Sequence, residues 1–186
     1  FDLIKNFRKK NIQTPIILMG YYNPIYQYGN ENFINRCLSV GVDGLIVVDL
    51  PPEHDSELCD LTLESDIDFI RLATPTTDKK RLKTVLKNSS GFLYYVSVMG
   101  ITGTKEPDLE LLKKQVTNLK KETDIPIGIG FGIKRPDQAR KISEFSDAIV
   151  VGSSLIENIM DNYKNNNEDD VLLKVSEYIK SLKAAI

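Results

Sequence analysis

Three glycines at alternate positions, Gly128, Gly130 and Gly132 in PIGIGFGIKRPDQAR, run straight into a helical pattern. Glycine weakens a strand unless another backbone or a ligand has to come close. A glycine turn that opens a helix presents unpaired N–H groups, and these suit an anion such as phosphate. The same residues also suit a tight strand-to-helix turn that holds nothing, and the third glycine of the dinucleotide fingerprint is missing. Two further stretches carry the same chemistry. VVGSSLIENI puts Gly152 and Ser153 at the start of a short helical pattern, and MGITGTKEPD is a second glycine-containing loop. Backbone N–H groups in such loops approach a phosphate more closely than a turn full of side chains allows.

Among side chains, Asp49 ends the apolar run VVD and is followed by Pro51 and Pro52. A carboxylate there could move a proton, or it could organise the turn that the prolines start. His54 falls in the first turn of a helical pattern and reads as solvated. Cys37 and Cys59 lie in helical segments without metal-ligand spacing, and read as reduced core thiols of a cytoplasmic protein. No metal site is expected.

The elements that position these residues alternate from end to end. Apolar runs are PIILMGYY, GLIVVDL, DFIRLAT, GFLYYVSV, PIGIGF and DAIVVGS, mostly strands buried on both faces. Between them ENFINRCLSVG, EHDSELCDLTLES, TDKKRLKTVLKNS, DLELLKKQVTNLKKE and RPDQARKISEF have apolar positions at helical spacing. TPTTD supplies a capping threonine and an early aspartate to one of these helices. After the polar loop YKNNNEDD comes a last helix, VLLKVSEYIKSLKAA. Strict alternation means parallel strands with crossover helices, in an open doubly wound sheet or a closed (β/α)8 barrel.

The strand candidates fall two short of a barrel, which takes about 250 residues, and the chain opens inside the helical pattern FDLIKNFRKK. The expectation is one α/β domain over residues 1–186, a partial (β/α)8 TIM barrel lacking roughly its first two βα units. The strands holding Ile17 and Ile149 are then expected at open edges, leaving the chain prone to aggregate alone. In a barrel, chemistry gathers where strands end, with phosphate in the loops after the last two. PIGIGFGI and VVGSS are those loops.

Composition excludes other classes. The 186 residues are 41% hydrophobic and 27% charged with a net charge of −2, as in an ordinary globular protein. No basic stripe interleaved with aromatics points to nucleic acid, and neither a membrane-length apolar run nor a signal peptide is visible.

LMGYYNPI, DGLIVVDLPPE, GFLYYVSVMGITG, PIGIGFGI and DAIVVGSSL, in this order and spacing, resemble the tryptophan synthase alpha subunit over nearly the whole chain. The resemblance implies a barrel lyase that splits indole-3-glycerol phosphate by retro-aldol cleavage into indole and glyceraldehyde 3-phosphate. It implies no cofactor in this subunit and an α2β2 complex, in which a pyridoxal-phosphate-dependent beta subunit receives the indole. The family's catalytic glutamate and aspartate belong to an E-x-G-x-P-x-S-D-P-like region that does not occur here. They are expected upstream of Phe1, and the chain alone is expected to be inactive.

What carries over is binding. Tyr21 matches a tyrosine near the indole pocket, and Tyr94 one that points into the site. Thr102 and Gly103 fall in the closing loop, where Met99 replaces the first threonine of S-x-T-G. Gly103, Gly130, Phe131, Gly132, Gly152 and Ser153 match phosphate-binding positions. Asp49 matches an aspartate near the closing loop and is expected to organise it, while Asn23, Pro24 and Pro51 are expected at the beta-subunit contact. The alternatives are another phosphate-binding barrel enzyme, such as indole-glycerol-phosphate synthase or a histidine-pathway isomerase, and a non-catalytic phosphate-binding regulatory subunit. The first calls for strand-end lysine or aspartate positions that are not met here.

Overall fold

The computed structural model describes residues 1–97, 108–130, 132–163 and 167–186. Met99, Thr102, Gly103 and Phe131 therefore lie outside the described residues. The chain divides into two compact units, Phe1–Tyr94 and Tyr95–Ile186.

In the first unit the run GLIV becomes β2 (Gly44–Val47), buried along its whole length, as befits a parallel strand covered on both faces. Beside it, β1 (Ile17–Gly20) pairs in parallel, Ile17 opposite Gly44 and Gly20 opposite Val47. On the other side lies β3 (Asp68–Phe69), giving the order β1-β2-β3. Helices α3 (Asn30–Val40) and α4 (Ser56–Leu63) turn Ile34, Cys37, Val40, Leu58 and Cys59 into one core with Leu45, Val47 and Phe69. Each large aliphatic side chain buried this way contributes about 1.5–3 kcal/mol. Helix α3 stops at Gly41, whose φ of +84° is left-handed, and the amide of Val42 closes the turn on the Cys37 carbonyl at 3.0 Å. β1 ends its sheet, and on it Met19 is 57% exposed.

Three sequence expectations are corrected in this unit. PIILMGYY is not strand to its end, because Tyr22–Tyr28 form a helix, α2. Pro24 looks like a breaker, but in the first turn its missing N–H costs nothing. DFIRLAT is not one strand. It hands over from β3 to β4 (Leu72–Ala73), the Ile70 amide bonding Leu45 at 2.9 Å and the Arg71 carbonyl accepting from Tyr94 at 2.9 Å. The cap of α5 (Lys79–Leu86) is not a threonine but Asp78, whose carboxylate accepts the Arg81 amide at 2.7 Å. Thr77 instead bonds the Thr74 amide at 3.0 Å.

In the second unit β6 (Ile127–Gly130) and β7 (Ala148–Val150) pair in parallel, Gly128 opposite Ala148 and Gly130 opposite Val150. The amide of Ser97, just past β5 (Leu93–Val96), bonds the Gly130 carbonyl at 3.2 Å. Helix α6 (Leu109–Leu119) buries Leu112 and Val116, and α7 (Pro136–Ser143) buries Ala139 and Ile142. Pro136 opens α7, and Gln138 reaches back to accept the amides of Lys134 and Arg135 at 3.0 and 3.2 Å, the returning half of a capping box. Helices α8 (Ser153–Tyr163) and α9 (Glu168–Lys183) complete the unit. No described helix is long and apolar enough to cross a membrane.

One device recurs where strands begin. Asp43, before β2, accepts the Ile16 amide at 2.6 Å and pairs with Arg8 of α1 (Asp2–Arg8) at 2.5 Å. Asp147, before β7, accepts the Ile127 amide at 2.9 Å and pairs with Lys120, just past α6, at 2.7 Å. Each carboxylate thus ties the start of one strand to the start of the next and to the helix before them. Burial pulls the Asp147 carboxyl upward, but the Lys120 and Ile127 hydrogen bonds and the Lys120 charge outweigh it and hold its pKa below the usual range. The folded state therefore binds its proton more weakly than the unfolded chain. This stability is fully present above the unfolded pKa of about 3.9 and is lost as pH falls through the folded value. Asp147→Asn is expected to lower the urea midpoint at pH 7 and to converge with the parent in acid. A midpoint difference independent of pH would refute the linkage.

Candidate functional site

The loops after β6 and β7 leave the sheet side by side, because Gly130 stands opposite Val150 in a parallel pair. Gly130 is buried at the end of β6. Gly132 is exposed with φ +43°, a left-handed backbone that glycine adopts freely. Gly152 is exposed with an ordinary backbone. Among the described residues, a Cβ on either Gly132 or Gly152 would meet nothing within 4 Å, so the described residues leave the space above both glycines open.

The carbonyl of Gly152 accepts the Leu155 and Ile156 amides at 2.9 and 3.1 Å, so α8 starts at once. Its leading N–H groups have no acceptor within the helix and carry the positive end of its dipole. No acidic residue sits in that first turn to neutralise it. Ser153 is exposed there, whereas Ser154 is buried, its hydroxyl donating to the Ile133 carbonyl at 2.7 Å. Lys134 reaches Glu157 at 2.8 Å across the same gap. Open glycines and a helix start with no acidic residue in its first turn are features that suit a small anion.

In the first unit the structure gathers Tyr21, Asn23, Pro24 and Asp49. Tyr21 precedes α2 and is 65% exposed, and Asn23 and Pro24 are exposed in the first turn. Asp49 Oδ1 accepts the Tyr22 amide at 2.7 Å, tying the loop after β2 to the start of α2. Pro51 accepts the His54 amide at 2.9 Å, and His54 is exposed two residues before α4 rather than in its first turn. Asp49, Pro51 and Pro52 line a cavity of about 420 Å3 with Phe69, Arg71 and Arg81. Tyr94 of β5 is half-buried against Phe92, ring centroids 6.5 Å apart. Burial pushes its pKa up, so its hydroxyl keeps its proton at neutral pH.

Sequence reasoning missed a buried ion pair. Arg71 and Asp55 are each 5% exposed and face each other through Nη1 and Oδ2. Arg71 also donates to Cys59 Sγ at 3.4 Å and stacks over Phe69 at 4.9 Å. The available signal was an arginine inside an otherwise apolar run, DFIRLAT. Both cysteines are free and buried. Burial pushes Cys37 up to about 11 and raises Cys59, with the Asp55 charge adding to the latter, so neither thiol is a nucleophile at neutral pH. Among the described residues no group of histidine, cysteine or carboxylate side chains is placed to hold a metal.

Comparison with known proteins gives one family. The tryptophan synthase alpha chain family matches residues 1–186. A tryptophan synthase alpha subunit from Legionella pneumophila strain Paris is 35% identical at a TM-score of 0.90, covering 100% of this chain and 67% of that one. An alpha chain from Legionella pneumophila subsp. pneumophila is 36% identical at 0.88, with the same coverage. A chain from the α2β2 complex of Pyrococcus furiosus is 33% identical at 0.83, covering 98% of this chain and 71% of its own. The alternation of parallel strands and helices belongs to the (β/α)8 barrel class of these proteins.

Proposed function

The chain belongs to the tryptophan synthase alpha chain family, lyases of tryptophan biosynthesis, and on that premise we propose that it serves the cleavage of indole-3-glycerol phosphate to indole and glyceraldehyde 3-phosphate. Gly130, Gly132, Gly152 and Ser153 hold the substrate phosphate. The observation that carries this reading is the pair of open glycines beside the unneutralised start of α8.

The reaction breaks the bond between the indole ring and the glycerol chain. The ring carbon takes a proton, the neighbouring hydroxyl loses one, and the electron pair of the broken bond returns to the indole. An anion site at the far end of the glycerol chain fixes the reacting bond relative to acid and base, and such positioning is worth several kcal/mol of barrier. Tyr21 and Tyr94 at the indole end, Thr102 and Gly103 in the closing loop, and Phe131 among the phosphate-binding positions are all assignments from the family motif. Asp49 organises the loop after β2 through its bond to Tyr22.

Asn23, Pro24 and Pro51 face a beta subunit in an α2β2 complex in the cytoplasm. Pyridoxal phosphate sits in that partner, and the alpha chain needs no cofactor of its own. The test is indole release by the full-length alpha chain, with the segment upstream of Phe1 restored, with and without its beta subunit. Pro51→Asp is expected to cut beta-subunit activation several-fold while basal cleavage changes less than about two-fold, since Pro51 is half-buried at the rim of the 420 Å3 cavity rather than in the core. Equal loss of both activities would mean that Pro51 acts through folding, and no indole release by the parent complex would favour the regulatory-subunit reading.

A further inference from the structure

We infer that Ser154 and Tyr178 are positioning residues for the substrate phosphate, holding the two glycine loops in register, an inference that rests on the cradle proposed above. Ser154 follows Gly152 and Ser153 directly, and Ile133 and Lys134 follow Gly132. A serine in the first turn of a helix ordinarily meets water or its own helix. Here it is buried, 7% exposed, and its hydroxyl crosses to the other loop, donating to the Ile133 carbonyl at 2.7 Å. The same oxygen accepts from the Tyr178 hydroxyl at 2.9 Å, and that hydroxyl also lies 3.1 Å from the Lys134 carbonyl.

The relay Tyr178 O–H to Ser154 O–H to Ile133 carbonyl therefore pins the loop after β6, the start of α8 and the middle of α9 at one point. Nothing in it touches the phosphate position. Its effect is on where the N–H groups of Gly132, Gly152 and Ser153 stand, and an anion held by several such donors is sensitive to their joint placement. The exposed Lys134–Glu157 pair spans the same gap at 2.8 Å but, being solvated, fixes it loosely.

Tyr178→Phe keeps the ring and removes only the hydroxyl. In the full-length alpha chain bound to the beta subunit, it is expected to raise KM for indole-3-glycerol phosphate and Ki for inorganic phosphate together by about five-fold, the factor of one net hydrogen bond. kcat, and cleavage of the analogue lacking the phosphate, should stay within about two-fold, since the relay touches no reacting atom. Ser154→Ala should do the same, and the double variant should add little to either single change, because both break one relay. An unchanged phosphate Ki in Tyr178→Phe and Ser154→Ala, with phosphate inhibition lost in Gly152→Asp, would overturn the positioning role and leave the cradle standing. An unchanged Ki in all three would overturn the cradle itself. A parallel fall on both substrates with a lowered Tm would make the pair merely structural.

Discussion

Gly152→Asp in the complete alpha chain is expected to lower kcat/KM for indole-3-glycerol phosphate by about 30-fold or more, roughly 2 kcal/mol, the scale of a lost charge-assisted hydrogen bond. Its cleavage of the analogue lacking the phosphate should be almost unchanged. The substitution places a carboxylate at the start of α8, in space the protein leaves open, on a backbone that any residue adopts. A negative charge at a helix start does not harm the helix, so the damage is confined to a competing anion. Gly132→Asp should act in the same direction with some added cost from its φ of +43°, which aspartate tolerates better than most residues. Measuring kcat/KM on both compounds, with circular dichroism as a folding control, decides it. If the two rates fall in parallel, the glycines serve the turn and the cradle is wrong.

Asp55→Ala is expected to destabilise the protein by about 3–5 kcal/mol, because it strands a guanidinium in the core. Among the described residues, Arg71 would keep only the Cys59 sulfur at 3.4 Å and the Phe69 ring at 4.9 Å. Asp55 precedes α4, yet its side chain makes no cap bond and turns inward to Arg71, so loss of a helix cap does not enter. Replacing both partners, Asp55→Ala with Arg71→Met, should recover most of the loss, since a buried pair and an apolar filling of similar volume are close in stability. Urea midpoints of parent, single and double variants test this. A single variant within about 1 kcal/mol of the parent would show that Arg71 finds water or another partner.

The two ends of the strands divide the labour. Asp43 and Asp147 tie strand starts to each other and to the preceding helices. Gly132 and Gly152, past the strand ends, leave space open instead.

Much of this was legible in the residues themselves. The runs GLIVVDL and PIGIGF read as strands covered on both faces, and every residue of β2 and β6 is buried. The helical periodicities of α3, α6 and α7 survive because one face of each is apolar and meets the sheet. The glycine loops were visible because a left-handed turn and an uncapped helix start depend on local backbone chemistry alone. What sequence could not decide were bonds between residues distant along the chain. Helix α2 carries Pro24 in its first turn, and its first amide is accepted by Asp49, 27 residues on from Tyr22. DFIRLAT breaks because its two halves bond different neighbours. Arg71 finds Asp55 16 positions earlier, and Tyr178 finds Ser154 24 positions earlier. Local pattern sets which backbone shapes and burials are possible, whereas a hydrogen-bond or charge partner is chosen only when packing brings two distant segments within about 3 Å.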